Sequence, residues 1–148
     1  MGVIEAVRPM VASVLTGEGA GVFTGAGETL RLSGIEEDIN AAGRYDAIKP
    51  LILAMDRATR MDEIRRLTAS PGVIVNSVHA VTETGSLVIA SGSGRQLPGH
   101  AGGAARGMRI VGAQKVVPDL GTALRPIEDH CLPLESLTFA SGRSTALG

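Results

Sequence analysis

The run NSVHAVTETGSLVIASGSGR, residues 76–95, gathers most of the side chains able to do chemistry. It holds His79, then Glu83 between the hydroxyls of Thr82 and Thr84, then Gly85 and the loop Ser91, Gly92, Ser93, Gly94 and Arg95. A strand that runs into a Gly/Ser loop exposes backbone N–H groups, and these wrap a phosphate or a carboxylate. Arg95 would add a bidentate contact to the same anion. Glu83, drawn into such a pocket, would serve as base or covalent nucleophile, and His79 is the second catalytic candidate. Lys115 follows an apolar run at 108–111, where ligands gather beyond the carboxyl ends of strands.

Each of these has a plainer alternative. Gly/Ser loops are often turns and nothing more, and Glu83 would then bond the backbone of its neighbours. His79 would be a hydrogen-bonded member of that turn, and Lys115 a solvated cation. His100 and His130 read as incidental. Cys131 is not activated by its neighbour His130, because side chains at i and i+1 diverge. Familiar motifs are absent: Gly25 and Gly27 begin a GxGxxG that Leu30 breaks, and no GxxxxGK[ST], HExxH, GxSxG or CxxC occurs.

The elements that must position these residues alternate between helix and strand. Residues 3–15 read as an amphipathic helix containing Pro9, 20–23 as a buried strand, and 28–32 as a short helix. A loop over 33–50 carries a helical turn at 36–40. Residues 51–69 form the clearest helix, with Leu51, Met55, Ala58, Met61, Ile64 and Leu67 on one stripe. Asp56 with Arg60 and Asp62 with Arg66 would pair at i,i+4, although a cap-like break at Thr59 and Asp62 would divide this helix in two. Three β-branched runs, 73–75, 87–90 and 108–111, read as core strands. The glycine-rich 95–106 is a poor helix, whereas Pro118 and Asp119 open a convincing one to about residue 130. The order predicts an α/β fold, a mostly parallel sheet flanked by helices, as a single domain over 1–148 with a loose tail at 136–148.

Composition bounds the function. The chain has 148 residues with 14 Lys+Arg against 15 Asp+Glu, a net charge of −1 that gives no electrostatic case for nucleic acid. Three aromatic residues, Phe23, Tyr45 and Phe139, are too few for a base-stacking platform. A single cysteine makes neither an internal disulfide nor a metal or iron–sulfur cluster, so no metal and no cofactor is expected in this chain. No apolar run approaches the ~18–20 residues of a membrane span, and no secretory leader opens the sequence. The expectation is a soluble cytoplasmic protein without membrane insertion.

The segments SVHAVTETGSLVIASGSGRQLPGHAGG and MRIVGAQKVVPDLGTALRPIEDHCLPLE, with VFTGAGETLRLSGIEEDINAAGRYDAIKP upstream, resemble the LUD-domain family, named for lactate utilisation. The resemblance implies the α/β architecture of sugar-phosphate isomerases and CoA-transferases, with Glu83 and residues 91–94 bordering the ligand pocket. It also implies a role in oxidising lactate or related organic acids, with a phosphorylated, carboxylate or CoA-linked anion as ligand. Family members usually continue into further apolar strands where this chain ends as ESLTFASGRSTALG. An unpaired sheet edge there would be covered by self-association, so a homo-oligomer is expected. The alternative is a non-catalytic accessory subunit docking an iron–sulfur partner protein.

Overall fold

The computed structural model of the chain describes residues 3–15, 20–92 and 94–133. The expected loose tail at 136–148 and the site candidate Ser93 lie outside the described residues. The first sheet is built from short strands, of which the two rich in β-branched residues are buried on both faces and the third, RGMR, is exposed to half-buried. They are β1 (Val22–Thr24), β2 (Val73–Asn76) and β5 (Arg106–Arg109), joined in the order β1-β2-β5 with both pairings parallel. A second sheet has β3 (Ala80–Thr82) at its centre, β4 (Leu87–Val88) antiparallel on one side and β6 (Val116–Val117) parallel on the other. Three of the four pairings are thus parallel, and helices flank the sheets in an α/β fold.

The two-residue period of a strand sends alternate side chains to opposite faces. Val22, Val73 and Val75 join Val11, Leu15, Leu30, Ile35 and Ile39 in one core. Those residues belong to, or adjoin, α1 (Val3–Val14), α2 (Glu28–Leu32) and α3 (Ile35–Asn40). Phe23 and Ile74 point the other way and pack with Ile48, Ile52, Met55 and Ile64, from α4 (Ile48–Leu53), α5 (Met61–Ala69) and the segment between them. The second sheet has its own core, Ala80 and Val88 against Ala123 and Ile127, supplied by α6 (Leu120–Pro126) and the turn that continues it.

Several expected boundaries move. The stripe over 51–69 is not one helix, and the cause is Asp56. Its Oδ1 accepts the Ala58 N–H at 2.9 Å and its Oδ2 accepts the Thr59 hydroxyl at 3.0 Å, which builds a turn between α4 and α5. The expected i,i+4 pairs give way to Arg60 with Glu63 and Arg65 with Asp62, both at i,i+3. The run 87–90 contributes only two strand residues and runs antiparallel at an edge, and the third strand begins at Arg106 rather than at 108. The glycine-rich 95–106 is no regular helix: it makes a wide turn over Gly99–Gly103, broken where Gly102 adopts φ 109°. The opening of α6 follows expectation, with Asp119 accepting the Thr122 N–H at 2.7 Å.

Candidate functional site

Lys115 ends the short turn that leads from β5 into β6. Its ammonium donates to Thr29 Oγ1 at 3.1 Å, Ser77 Oγ at 3.0 Å and the Val78 carbonyl at 2.8 Å. Thr29 lies in α2, reached by the loop that leaves β1, and Ser77 and Val78 follow β2 directly. The cation therefore sits at the carboxyl ends of the parallel strands, the edge at which open α/β sheets take ligands. Burial pulls its pKa below the ordinary lysine value, and Cys131 works in the opposite direction. Among the described residues no carboxylate pairs with it. All three N–H bonds go to neutral oxygens, so among the described residues no carboxylate neutralises the positive charge.

The hydroxyls around it are set by the same contacts. Thr29 Oγ1 accepts from Lys115 and, at 3.3 Å, from Ser77. Its own O–H has no protein acceptor among the described residues and is free to donate to a ligand. His79 stands next along the chain. Its backbone N–H bonds the Val88 carbonyl at 2.9 Å, and its Nδ1 accepts the Ala90 N–H at 3.2 Å. With Nδ1 accepting, the proton of the neutral ring is on Nε2. Burial first, and the Lys115 charge second, hold the His79 pKa below its ordinary value, so the ring is a neutral N–H donor at pH 7.

The carboxylate turn is built differently. Thr82 and Thr84 join their hydroxyls at 2.8 Å, and Thr82 Oγ1 also accepts the Ser86 N–H at 2.9 Å. Gly85 N–H returns to the Thr82 carbonyl at 2.9 Å, and Glu83 N–H bonds the Val117 carbonyl at 2.9 Å. The Glu83 side chain is exposed. His79 and Glu83 flank β3 four residues apart, ~13 Å at the rise of an extended strand. Thr82 is in register with Val117, and the Lys115 ammonium reaches the other way, toward Ser77 and Val78. The structure brings Lys115 and His79 together and leaves Thr82, Glu83, Thr84 and Gly85 at the far end of the strand.

The glycine/serine loop lies on the His79 side. Ala90, which bonds His79, immediately precedes Ser91. Ser91 Oγ accepts the Gly94 N–H at 3.1 Å, so that amide is already used, while Gly92 is exposed. Arg95 is partly buried, and burial together with the nearby Arg57 charge lowers its pKa. Sequence reasoning found Lys115 and His79 but missed Thr29, Ser77 and the Val78 carbonyl. Ser77 carried a usable signal, as the first residue beyond a strand; Thr29, 86 residues from Lys115, carried none.

A mostly parallel sheet flanked by helices defines the chain as an α/β protein. The sequence model of the LUD domain family matches residues 5–144, and the chain belongs to that family, which is associated with lactate utilisation. No curated protein and no solved structure matches the chain. Among the described residues no helix is long and apolar enough to cross a membrane.

Proposed function

We propose that the chain binds a small anionic metabolite of lactate or related organic-acid utilisation at the edge formed by Lys115, Thr29, Ser77 and His79. The observation that carries this reading is the Lys115 ammonium, partly buried and held by three oxygens without a carboxylate. A cation in such a place is costly until an anion neutralises it. The bound carboxylate or phosphate accepts from the Thr29 hydroxyl and takes the Lys115 charge at close range. Ser91 and Arg95, tied to His79 through Ala90, form the neighbouring wall. Arg95 there receives the remote part of a larger ligand, whether sugar phosphate or CoA thioester.

Ligand-linked stability tests this. L-lactate, a sugar phosphate and acetyl-CoA are each titrated while thermal unfolding is followed. A ligand at 100 times its Kd stabilises the fold by ~2.7 kcal/mol, and the Lys115→Gln variant, which removes the charge but keeps donors for the oxygens, loses that gain. Absence of stabilisation by all three probes, or an equal gain in Lys115→Gln, overturns the reading.

A further inference from the structure

A second polar cluster lies at the end of β2, on the face turned toward Ile74 and the Gly99–Gly103 turn. Asn76 is in register with Arg109 on the neighbouring strand. The Asn76 Oδ1 accepts the Ser77 N–H at 2.8 Å, which fixes the amide orientation. Its Nδ2 then donates to Gln96 Oε1 and to His100 Nε2, the latter at 3.0 Å. Gln96 is itself oriented by donating to the Ala90 carbonyl at 3.4 Å. Because His100 Nε2 accepts, the proton of the neutral ring must sit on Nδ1.

That Nδ1–H is buried and has no partner among the described residues, and neither has the buried Nε–H of Arg109. Buried N–H donors are almost always bonded, so a pair of orphans on adjacent elements marks a missing acceptor. The Arg109 guanidinium folds back over Gly107, where a Cβ would meet its Nη1 at 2.5 Å, so glycine leaves it the space it occupies. Among the described residues its one hydrogen bond is a long one from Nη1 to the Met108 carbonyl at 3.4 Å. Among the described residues no carboxylate pairs with it.

We propose that Arg109 and His100 form a second oxyanion-binding site, in which one carboxylate or phosphate group accepts the Arg109 Nε–H and the His100 Nδ1–H. The pairing is separate from the Lys115 edge: Asn76, the last residue of β2, bonds Gln96 and His100, whereas Ser77 beyond it bonds Thr29 and Lys115. Asn76 holds the imidazole in the donating tautomer and is a positioning residue. The fork of Arg109 supplies both charge and direction, which a lysine would not.

The ring nitrogens of His100, followed by long-range proton–nitrogen NMR on the intact wild-type protein, read this without relying on a variant. Inorganic phosphate and acetate are the probes. Saturable movement of the His100 Nδ1 signal is expected, with phosphate alone if the group is a phosphate and with both if it is a carboxylate. Arg109→Lys should weaken that response at least tenfold, and Lys115→Gln should leave it intact. A His100 signal unmoved by tens of millimolar of either probe, meaning that water satisfies both donors, overturns the proposal. So does an unchanged Kd in Arg109→Lys, or loss of the response in Lys115→Gln, which would place the anion at the other edge.

Discussion

Three N–H bonds of one ammonium group reach oxygens from α2 and from the exit of β2, so Lys115 fixes the spacing of two loops as well as supplying charge. The close approach of those loops depends on Gly25, where a Cβ would overlap the Asn76 side chain. Gly25→Ala should cost about 1–3 kcal/mol by overpacking, measured by urea unfolding, and should weaken the anion response of His100, which Asn76 holds. Glu83 supplies the control. Its carboxylate is exposed at the far end of β3, so Glu83→Gln should leave ligand-induced stabilisation unchanged. Lys115 was visible in the sequence as a cation just past an apolar run. The neighbouring TETG pattern suggested a carboxylate site, yet Thr82 and Thr84 spend their hydroxyls on each other and on the turn. Hydroxyls bracketing a glutamate look the same in one dimension whether they orient a ligand or close a turn.

At the scale of elements, β2 is the centre of the first sheet, and its side chains feed both cores. Ile74 has no exposed surface and packs among Phe23, Ile48, Ile52, Met55 and Ile64. Ile74→Ala should lower stability by ~2–5 kcal/mol, whereas Ile74→Val should cost ~0.5–1.5 kcal/mol; chemical denaturation with an unchanged m-value checks both. Apolar runs and stripes located α1, β1, β2 and α6 from the sequence. The α4–α5 break was legible only as an alternative, at Thr59 and Asp62, because Met55 and Ile64 stay on one buried stripe while Asp56 closes a turn between them. The strands β3 and β6 escaped notice for a different reason: β6 has only two residues, and β3 lies in a run read for its polar side chains.

The molecule as a whole carries two imidazoles whose neutral form the fold prefers. Burial lowers the His79 pKa, and burial with the Arg109 charge pushes that of His100 down to about 4. In the unfolded chain both titrate near 6.5. Between these values the unfolded state binds more protons, so stability is full above about pH 6.5 and is lost as pH falls toward 4. Melting temperature should therefore decline across that interval, and the slope should flatten in His100→Gln, which cannot charge. A bound oxyanion beside His100 would act against the decline by favouring the protonated ring.

The contact between Thr29 and Lys115 spans 86 residues of chain. Closing so wide a loop carries an entropic cost that nearby contacts do not share, and interactions of this range form slowly. The proposed anion cradle is therefore expected to assemble late in folding, after β1 and β2 have paired and once the segment carrying Lys115 has docked. A refolding experiment should show helical signal returning before the capacity to capture a ligand. Affinity in this protein thus doubles as a timestamp, reporting that the first and last thirds of the polypeptide have met.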